Sequence, residues 1–342
     1  MRRRERNIYT VKNREEKVKI RIEELRKSYI NGDIDVKSYA QRLFENYEEL
    51  LSYRELIKTS LVHSIVINEK EVLFKMCCAS PLSKEKYEIV MVLYRKDSGA
   101  VNNTILSLGD YEPLELDMVS RIVSYMKEGV FFDVGANLGW YTMNVKKQNP
   151  QMKIYAFEPV TETFNKLNRN VELNKLEKVD MYNIGLYKED TTLKFYYDIV
   201  ASGASSMQNL RENSETREIT CKMERLDDFV NCHDIRTIDF VKCDVEGSEL
   251  FVYEGGIESI KKYKPVIFSE MLRKWSAKFG YHPNNIIDLL ATAGYQCFVI
   301  KEKGKLRKFH RVDEETIETN YFFLHPEKHA EIMQDLVESV DC

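Results

Sequence analysis

The chain has 342 residues, enough for one large domain or two modest ones. Apolar residues make up 43% and aromatics 11%, which supports a sizeable core and excludes a disordered or low-complexity chain. The 51 basic and 55 acidic residues nearly cancel, leaving −4, so a chain-wide nucleic-acid footprint is excluded.

The start, Met1-Arg2-Arg3-Arg4, is basic, but no apolar stretch follows it, so no secretory leader is expected. The longest obvious apolar run, Ile89–Tyr94, is far short of the ~20 residues that span a bilayer. Seven cysteines occur, with no CxxC pair, and Cys232, His233 and Cys243 lack zinc spacing. The expectation is reduced thiols in a cytoplasmic protein and no zinc.

Residues 1–60 differ from the remainder. They carry 15 Lys and Arg against 11 Asp and Glu, while the rest carries 36 against 44. Apolar residues recur at Val18, Ile22, Leu25 and Tyr29, and again at Val36, Ala40, Leu43, Tyr47, Leu50, Ile57 and Leu61, with Arg54 as the gap. That spacing is near-heptad. Asn31-Gly32-Asp33 between the runs is a turn signal. The segment reads as a helical hairpin whose narrow apolar stripes call for a partner. That partner is either the body of the protein or a second copy in a homo-oligomer. Residues 61–110 read as a small β-rich connector, from the runs Leu61–Ile67, Val72–Met76 and Glu88–Tyr94.

Residues 111–342 alternate between strand and helix patterns. Strands are expected at Val130–Val134, Lys153–Phe157, Val179–Ile184, Ile238–Cys243, Val266–Glu270, Tyr295–Ile300 and Asn320–Leu324. Helices are expected at Leu138–Gln148, Glu162–Asn174, Glu249–Tyr263 and Pro283–Ala293, with a last one toward the C-terminus. Leu193–Tyr197 and Glu218–Lys222 look like an extra hairpin. This is an α/β pattern: a Rossmann-like, doubly wound, mostly parallel sheet. Such sheets bind ligands outside the C-terminal strand ends, where strand order reverses.

The first such end is Asp133-Val134-Gly135-Ala136-Asn137-Leu138-Gly139. It is a tight glycine turn between a buried strand and a helix. The spacing is not that of a pyrophosphate-binding fingerprint. Asp133 at the strand tip suits a cationic ligand better than a phosphate. Glu158 ends the next strand, where an acid accepts hydrogen bonds from ribose hydroxyls. Turn and acid together point to an adenosine cofactor without a pyrophosphate. S-adenosyl-L-methionine fits, because its ammonium and sulfonium charges suit an acidic pocket. Asn183-Ile184-Gly185-Leu186 follows the third strand, where an adenine would lie, so Ile184 and Gly185 are candidates to hold it. The second end is Lys242-Cys243-Asp244-Val245-Glu246-Gly247. Asp244 and Glu246 are close enough to make one of them a usable base. Asp244 alternatively holds a ligand ammonium, and the pair would also suit a hard cation such as Mg²⁺, although no metal is assigned. Glu270, at the tip of the fifth strand, is a third inward acid. Ala201–Met207 is a small-residue loop suited to lining an acceptor pocket or to a plain surface.

These motifs resemble the FkbM-type family of class I S-adenosylmethionine-dependent methyltransferases. The resemblance rests on FFDVGANLGWYT (131–142), Ala156–Pro159, DFVKCDVEGSEL (239–250) and IFSE (267–270), with Tyr111-Glu112-Pro113 and Leu226-Asp227-Asp228 in support. It covers roughly residues 110–325, and leaves the N-terminal hairpin outside. It implies a seven-stranded Rossmann-like sheet and O-methylation, often of sugar or natural-product hydroxyls. By matching position it implies cofactor contacts at Asp133, Gly135, Asn137, Gly139, Glu158 and Asp244, and the matched runs bring in Glu112 and Pro159. Family members often carry a His shortly after the fifth-strand Glu. Here Met271, Leu272 and Arg273 stand there, a departure that counts against a histidine base at this point. The expected function is therefore methyl transfer to a hydroxyl of a small-molecule or glycan acceptor, with Asp244, Glu246 and Glu270 as catalytic carboxylates. The rivals are a nicotinamide-dependent dehydrogenase and a non-catalytic interaction protein on a methyltransferase scaffold.

Overall fold

The computed structural model describes residues 22–338, apart from 95–96, 98, 100, 200, 202, 204, 210–215 and 302–303. The basic arm up to residue 21, Val18 included, and parts of the 201–207 loop therefore lie outside the described residues. The chain divides into two units, Met1–Thr59 and Ser60–Cys342.

In the first unit, residues 22–30 form a helix (α1) and Val36–Lys58 a second (α2). Gly32 has φ +80° in the turn between them. Asp35 caps α2, its carboxylate accepting the Ser38 N–H at 2.7 Å, which satisfies one of the orphan donors of the first turn. The Tyr29 and Tyr39 rings stack across the turn, 4.6 Å apart. No residue of α2 is buried.

The second unit opens with an antiparallel sheet, β1 (Val62–Ile67), β2 (Val72–Ala79) and β3 (Lys86–Val92). Two helices follow, α3 (Val101–Leu108) and α4 (Pro113–Val123). Pro113 begins α4, where its fixed φ suits the first turn and its missing N–H costs nothing.

The remaining elements build an eight-stranded sheet, a further three-stranded sheet and the helices between their strands. In chain order they are β4 (Val130–Val134), α5 (Trp140–Gln148), β5 (Lys153–Phe157), α6 (Thr161–Leu173), β6 (Val179–Tyr182), β7 (Gly185–Tyr187), β8 (Thr191–Asp198), β9 (Thr216–Arg225), α7 (Leu226–Cys232), β10 (Phe240–Cys243), α8 (Glu249–Tyr263), β11 (Val266–Glu270), α9 (Arg273–Ser276), α10 (Asn284–Thr292), β12 (Gln296–Lys301), β13 (Lys305–Phe309), β14 (Asn320–Leu324) and α11 (Ala330–Leu336). The sheet order is β13-β12-β14-β11-β10-β4-β5-β6. Strands β11, β10, β4, β5 and β6 run parallel, and β14 runs antiparallel to both β11 and β12. Two structural details extend the sequence reading. The sheet has an eighth strand, β13, paired antiparallel to β12 at the edge. The extra hairpin β8–β9 gains a third strand, β7, parallel to β9.

The parallel strands read as apolar runs because both faces are covered. All four residues of β10 are buried, and so are four of the five in β4. The main core joins Phe132, Val134 and Phe157 on the sheet to Phe229, Tyr253 and Leu290 on the helices. The chain leaves β4 toward β5 on one side, while β10 lies on the other. The sheet therefore has its reversal of strand order between β4 and β10, and the crevice there is where the fold places a ligand.

Candidate active site

The turn after β4 is made by glycine geometry. Gly135 has φ +77°, and a Cβ added there would lie 1.8 Å from the Asp244 carbonyl oxygen. The turn thus needs glycine both for its left-handed backbone and for its contact with the tip of β10. Gly139 has φ +89° and packs against Leu167 of α6. Three non-glycine residues around the same crevice also adopt positive φ: Glu112 (47°), Asn137 (49°) and Glu246 (54°). Each such residue stores on the order of 1 kcal/mol of strain.

A cavity opens at the crevice. Its walls include Tyr111 and Glu112, Gly135 and Asn137, Trp140 and Tyr141, Glu158 and Pro159, Gly185 and Leu186, and Lys242, Asp244 and Glu246. Eight of the expected site residues are therefore brought together: Glu112, Gly135, Asn137, Glu158, Pro159, Gly185, Asp244 and Glu246. Four are not in the lining. Asp133 is buried beneath it, where its Oδ2 accepts from the Thr142 N–H at 3.0 Å and the Thr142 hydroxyl at 2.6 Å. That pair of bonds fixes the start of α5, while the Asp133 Oδ1 is buried without a hydrogen-bond partner among the described residues, 3.7 Å from Lys242 Nζ. Gly139 serves the packing of α5 on α6, and Ile184 belongs to the core at 8% exposure. Glu270 lies beside the lining, with an oxygen within 4.8 Å of oxygens of Asp244 and Glu246.

The carboxylates are positioned by their neighbours. Glu158 Oε2 accepts the Asn137 N–H at 3.1 Å and Oε1 the Val160 N–H at 3.0 Å. Burial pushes its carboxyl up to about 7 against the pull of those two N–H groups. The Tyr141 hydroxyl donates to Glu112 Oε2 at 2.7 Å. Burial, then the charge of Asp244, lifts Glu112 to about 7 as well. Glu249, at the start of α8, accepts the Val245 and Gly247 N–H groups at 3.0 Å each, tying the acidic loop into a turn. The Ser206 hydroxyl donates to the Glu246 carbonyl at 2.9 Å, joining the 201–207 loop to the same turn. Burial, followed by the charges of Asp244 and Glu246, pushes Glu270 well above the usual carboxylate range.

Lys242 carries a role that the sequence reading did not assign. It is 4% exposed on β10. Its Nζ donates to the Gly135 carbonyl at 2.9 Å, lies 3.2 Å from Asp244 and 3.7 Å from Asp133, and stands over the Tyr141 ring. The signal was a lysine inside an otherwise apolar strand, Phe240-Val241-Lys242-Cys243, because buried lysines are rarely without partners. Trp140 was missed too. Its indole N–H and the Asn137 side-chain oxygen are buried without a hydrogen-bond partner among the described residues. Both residues line the cavity.

A donor, an acceptor and four lining carboxylates beside one lysine match a polar ligand of net positive character. S-adenosyl-L-methionine has that character, with its ammonium, sulfonium and ribose hydroxyls. The Asp244, Glu246 and Glu270 oxygens are also spaced so that a cation would fit among them, and no metal is assigned.

A mostly parallel sheet with a reversal crevice, a glycine turn after β4 and a buried acid after β5 is the arrangement of a class I methyltransferase fold. Residues 133–297 match the family model described as the methyltransferase FkbM domain. This stretch is therefore similar to the FkbM-type methyltransferases. Among curated relatives, the chain is 28% identical over 162 residues to Methyltransferase 1 of Beauveria bassiana, covering 42% of this chain and 65% of that protein. It is 27% identical over 173 residues to Methyltransferase sdnD of Sordaria araneosa, covering 42% and 67%. It is 23% identical over 157 residues to 2-O-methyltransferase NoeI of Sinorhizobium fredii, covering 42% and 64%. The chain thus spans about two thirds of the length of these relatives.

Proposed function

We propose that this protein is an O-methyltransferase that transfers a methyl group from S-adenosyl-L-methionine to a hydroxyl of a sugar, glycan or natural-product acceptor. The observation that carries the reading is the group of three carboxylates, Asp244, Glu246 and Glu270, at the tips of β10 and β11. A hydroxyl must lose its proton as it accepts a methyl group, and a carboxylate within hydrogen-bond reach takes it. The cofactor, when bound, supplies an activated methyl group on its sulfonium. Glu270 fits the proton acceptor, at the tip of β11 with an oxygen within 4.8 Å of oxygens of Asp244 and Glu246. Asp244 and Glu246 orient the acceptor, Glu158 holds ribose hydroxyls, and Asn137, Trp140 and Glu112 supply further polar contacts. The name of the NoeI relative supports oxygen as the methylated atom. A nicotinamide dinucleotide fits poorly, because its two phosphates would meet Glu112, Glu158, Asp244 and Glu246.

The test is calorimetric titration with S-adenosylhomocysteine and with NAD, followed by methyl-labelling of a panel of sugar, polyol and polyketide hydroxyl acceptors. Binding of S-adenosylhomocysteine, and labelling that is lost in Glu270→Gln, is the expected result. Binding of NAD alone would overturn the cofactor, and labelling only of amine acceptors would overturn O-methylation.

A further inference from the structure

Lys242 brings a full ammonium into the site, bracing β10 to the Gly135 carbonyl and pairing with Asp244 and the buried Asp133. It is the only cationic side chain lining the cavity among the described residues, facing Glu112, Glu158, Asp244 and Glu246. Its charge is permanent: burial disfavours the ammonium, but Asp244, Asp133 and Glu112 together outweigh burial. Its position is fixed by the contacts to Gly135 at 2.9 Å, Asp244 at 3.2 Å and Asp133 at 3.7 Å.

The chemistry gives that charge a use. This step rests on the proposed reading that the cavity takes S-adenosyl-L-methionine. That cofactor carries a positive sulfur, and its product, S-adenosylhomocysteine, a neutral thioether; the two are otherwise alike except for the methyl group. Carboxylates around the cavity stabilise the sulfonium before transfer more than the discharged sulfur after it. Stabilising the ground state more than the transition state raises the barrier. An ammonium fixed among those carboxylates offsets their field. We infer that Lys242 determines how strongly the site discriminates the sulfonium cofactor from its thioether product, and keeps the sulfonium from being over-stabilised.

The readout is the ratio of two dissociation constants, S-adenosylhomocysteine over S-adenosyl-L-methionine, measured by calorimetry on the full chain. Contacts common to both ligands cancel in it, so a merely structural role would not move it. Lys242→Met is expected to raise the ratio about tenfold or more, the size of one charge removed at short range in a partly desolvated site. Lys242→Arg keeps the charge and should keep the wild-type ratio. Asp244→Asn removes a neighbouring negative charge and should lower it. A folded Lys242→Met with the wild-type ratio overturns the inference. Where circular dichroism shows that Lys242→Met does not fold, an unchanged ratio in Asp244→Asn overturns it instead. Wild-type protein that binds neither ligand would defeat the cofactor reading, a distinct failure.

Discussion

Glu158 illustrates how much of the site is decided by single groups. Its carboxylate is aimed before any ligand arrives, by N–H groups from the β4 turn and from the start of α6. Glu158→Ala should weaken binding of S-adenosylhomocysteine about ten- to a hundredfold, the range expected for lost hydrogen bonds to a charged group. Calorimetry on the variant checks this, with circular dichroism confirming that the fold survives. The titration of the same residue sets a pH dependence. Glu158 and Glu112 are each raised from an ordinary 4.5 to about 7. They become anionic only as pH rises through 7, and a cationic ligand prefers the anionic forms. Affinity for S-adenosyl-L-methionine should therefore increase from pH 6 to pH 8. The ligand-free protein should show the opposite trend. A carboxyl whose folded pKa exceeds its unfolded value contributes stability that is present below about 4.5 and lost as pH rises through about 7. Urea unfolding of the ligand-free protein at pH 5 and pH 8 tests that sign, and equal stability at both would refute it.

At the scale of elements, the buried parallel strands were legible because their two-sided burial writes itself as apolar runs. Val130–Val134, Lys153–Phe157 and Val266–Glu270 have the same bounds in sequence and structure. The elements that escaped lack such a signal. β13, Lys-Leu-Arg-Lys-Phe, is an edge strand in which only Leu306 is buried, and charges on an edge hide the strand pattern while discouraging edge-to-edge pairing. β7 is three residues long. α4 did announce itself through Pro113, a helix-start signal that the sequence reading used only as a motif. In the site, glycine turns and acids could be read from spacing. The direction in which Asp133 points could not, because it depends on Thr142, nine positions later, folding back as the start of α5. That contact gives an element-scale prediction. Thr142→Val removes the 2.6 Å hydroxyl bond and leaves a buried carboxylate under-satisfied. It should destabilise the protein by about 1–3 kcal/mol, and more than it weakens ligand binding. Comparing urea midpoints with calorimetric affinities separates the two effects.

At the scale of the whole molecule, the two units divide the work. Every residue lining the cavity belongs to Ser60–Cys342. The first unit presents an apolar seam with no buried residue in α2. On α2, Phe44, Tyr47, Leu50 and Leu51 are 57%, 49%, 57% and 61% exposed. The seam Val36, Ala40, Leu43, Tyr47, Leu50 and Ile57 keeps near-heptad spacing, and Phe44 and Leu51 flank it, so the apolar face is broader than a two-stranded seam needs. Exposed apolar faces of this width mark interaction surfaces, and a second copy of the same hairpin offers a matching one. α2 carries four basic and four acidic residues, so two copies would not repel through net charge. We predict that the full chain is a homo-oligomer held by these helices. A chain beginning at Ser60 should then have the mass of a monomer in light scattering and bind S-adenosylhomocysteine as the full chain does. Leu50→Glu in the full chain should dissociate the oligomer without altering that affinity. An unchanged mass in both variants would sink the assembly role. A lost affinity in the truncated chain would mean that the first unit serves the site itself.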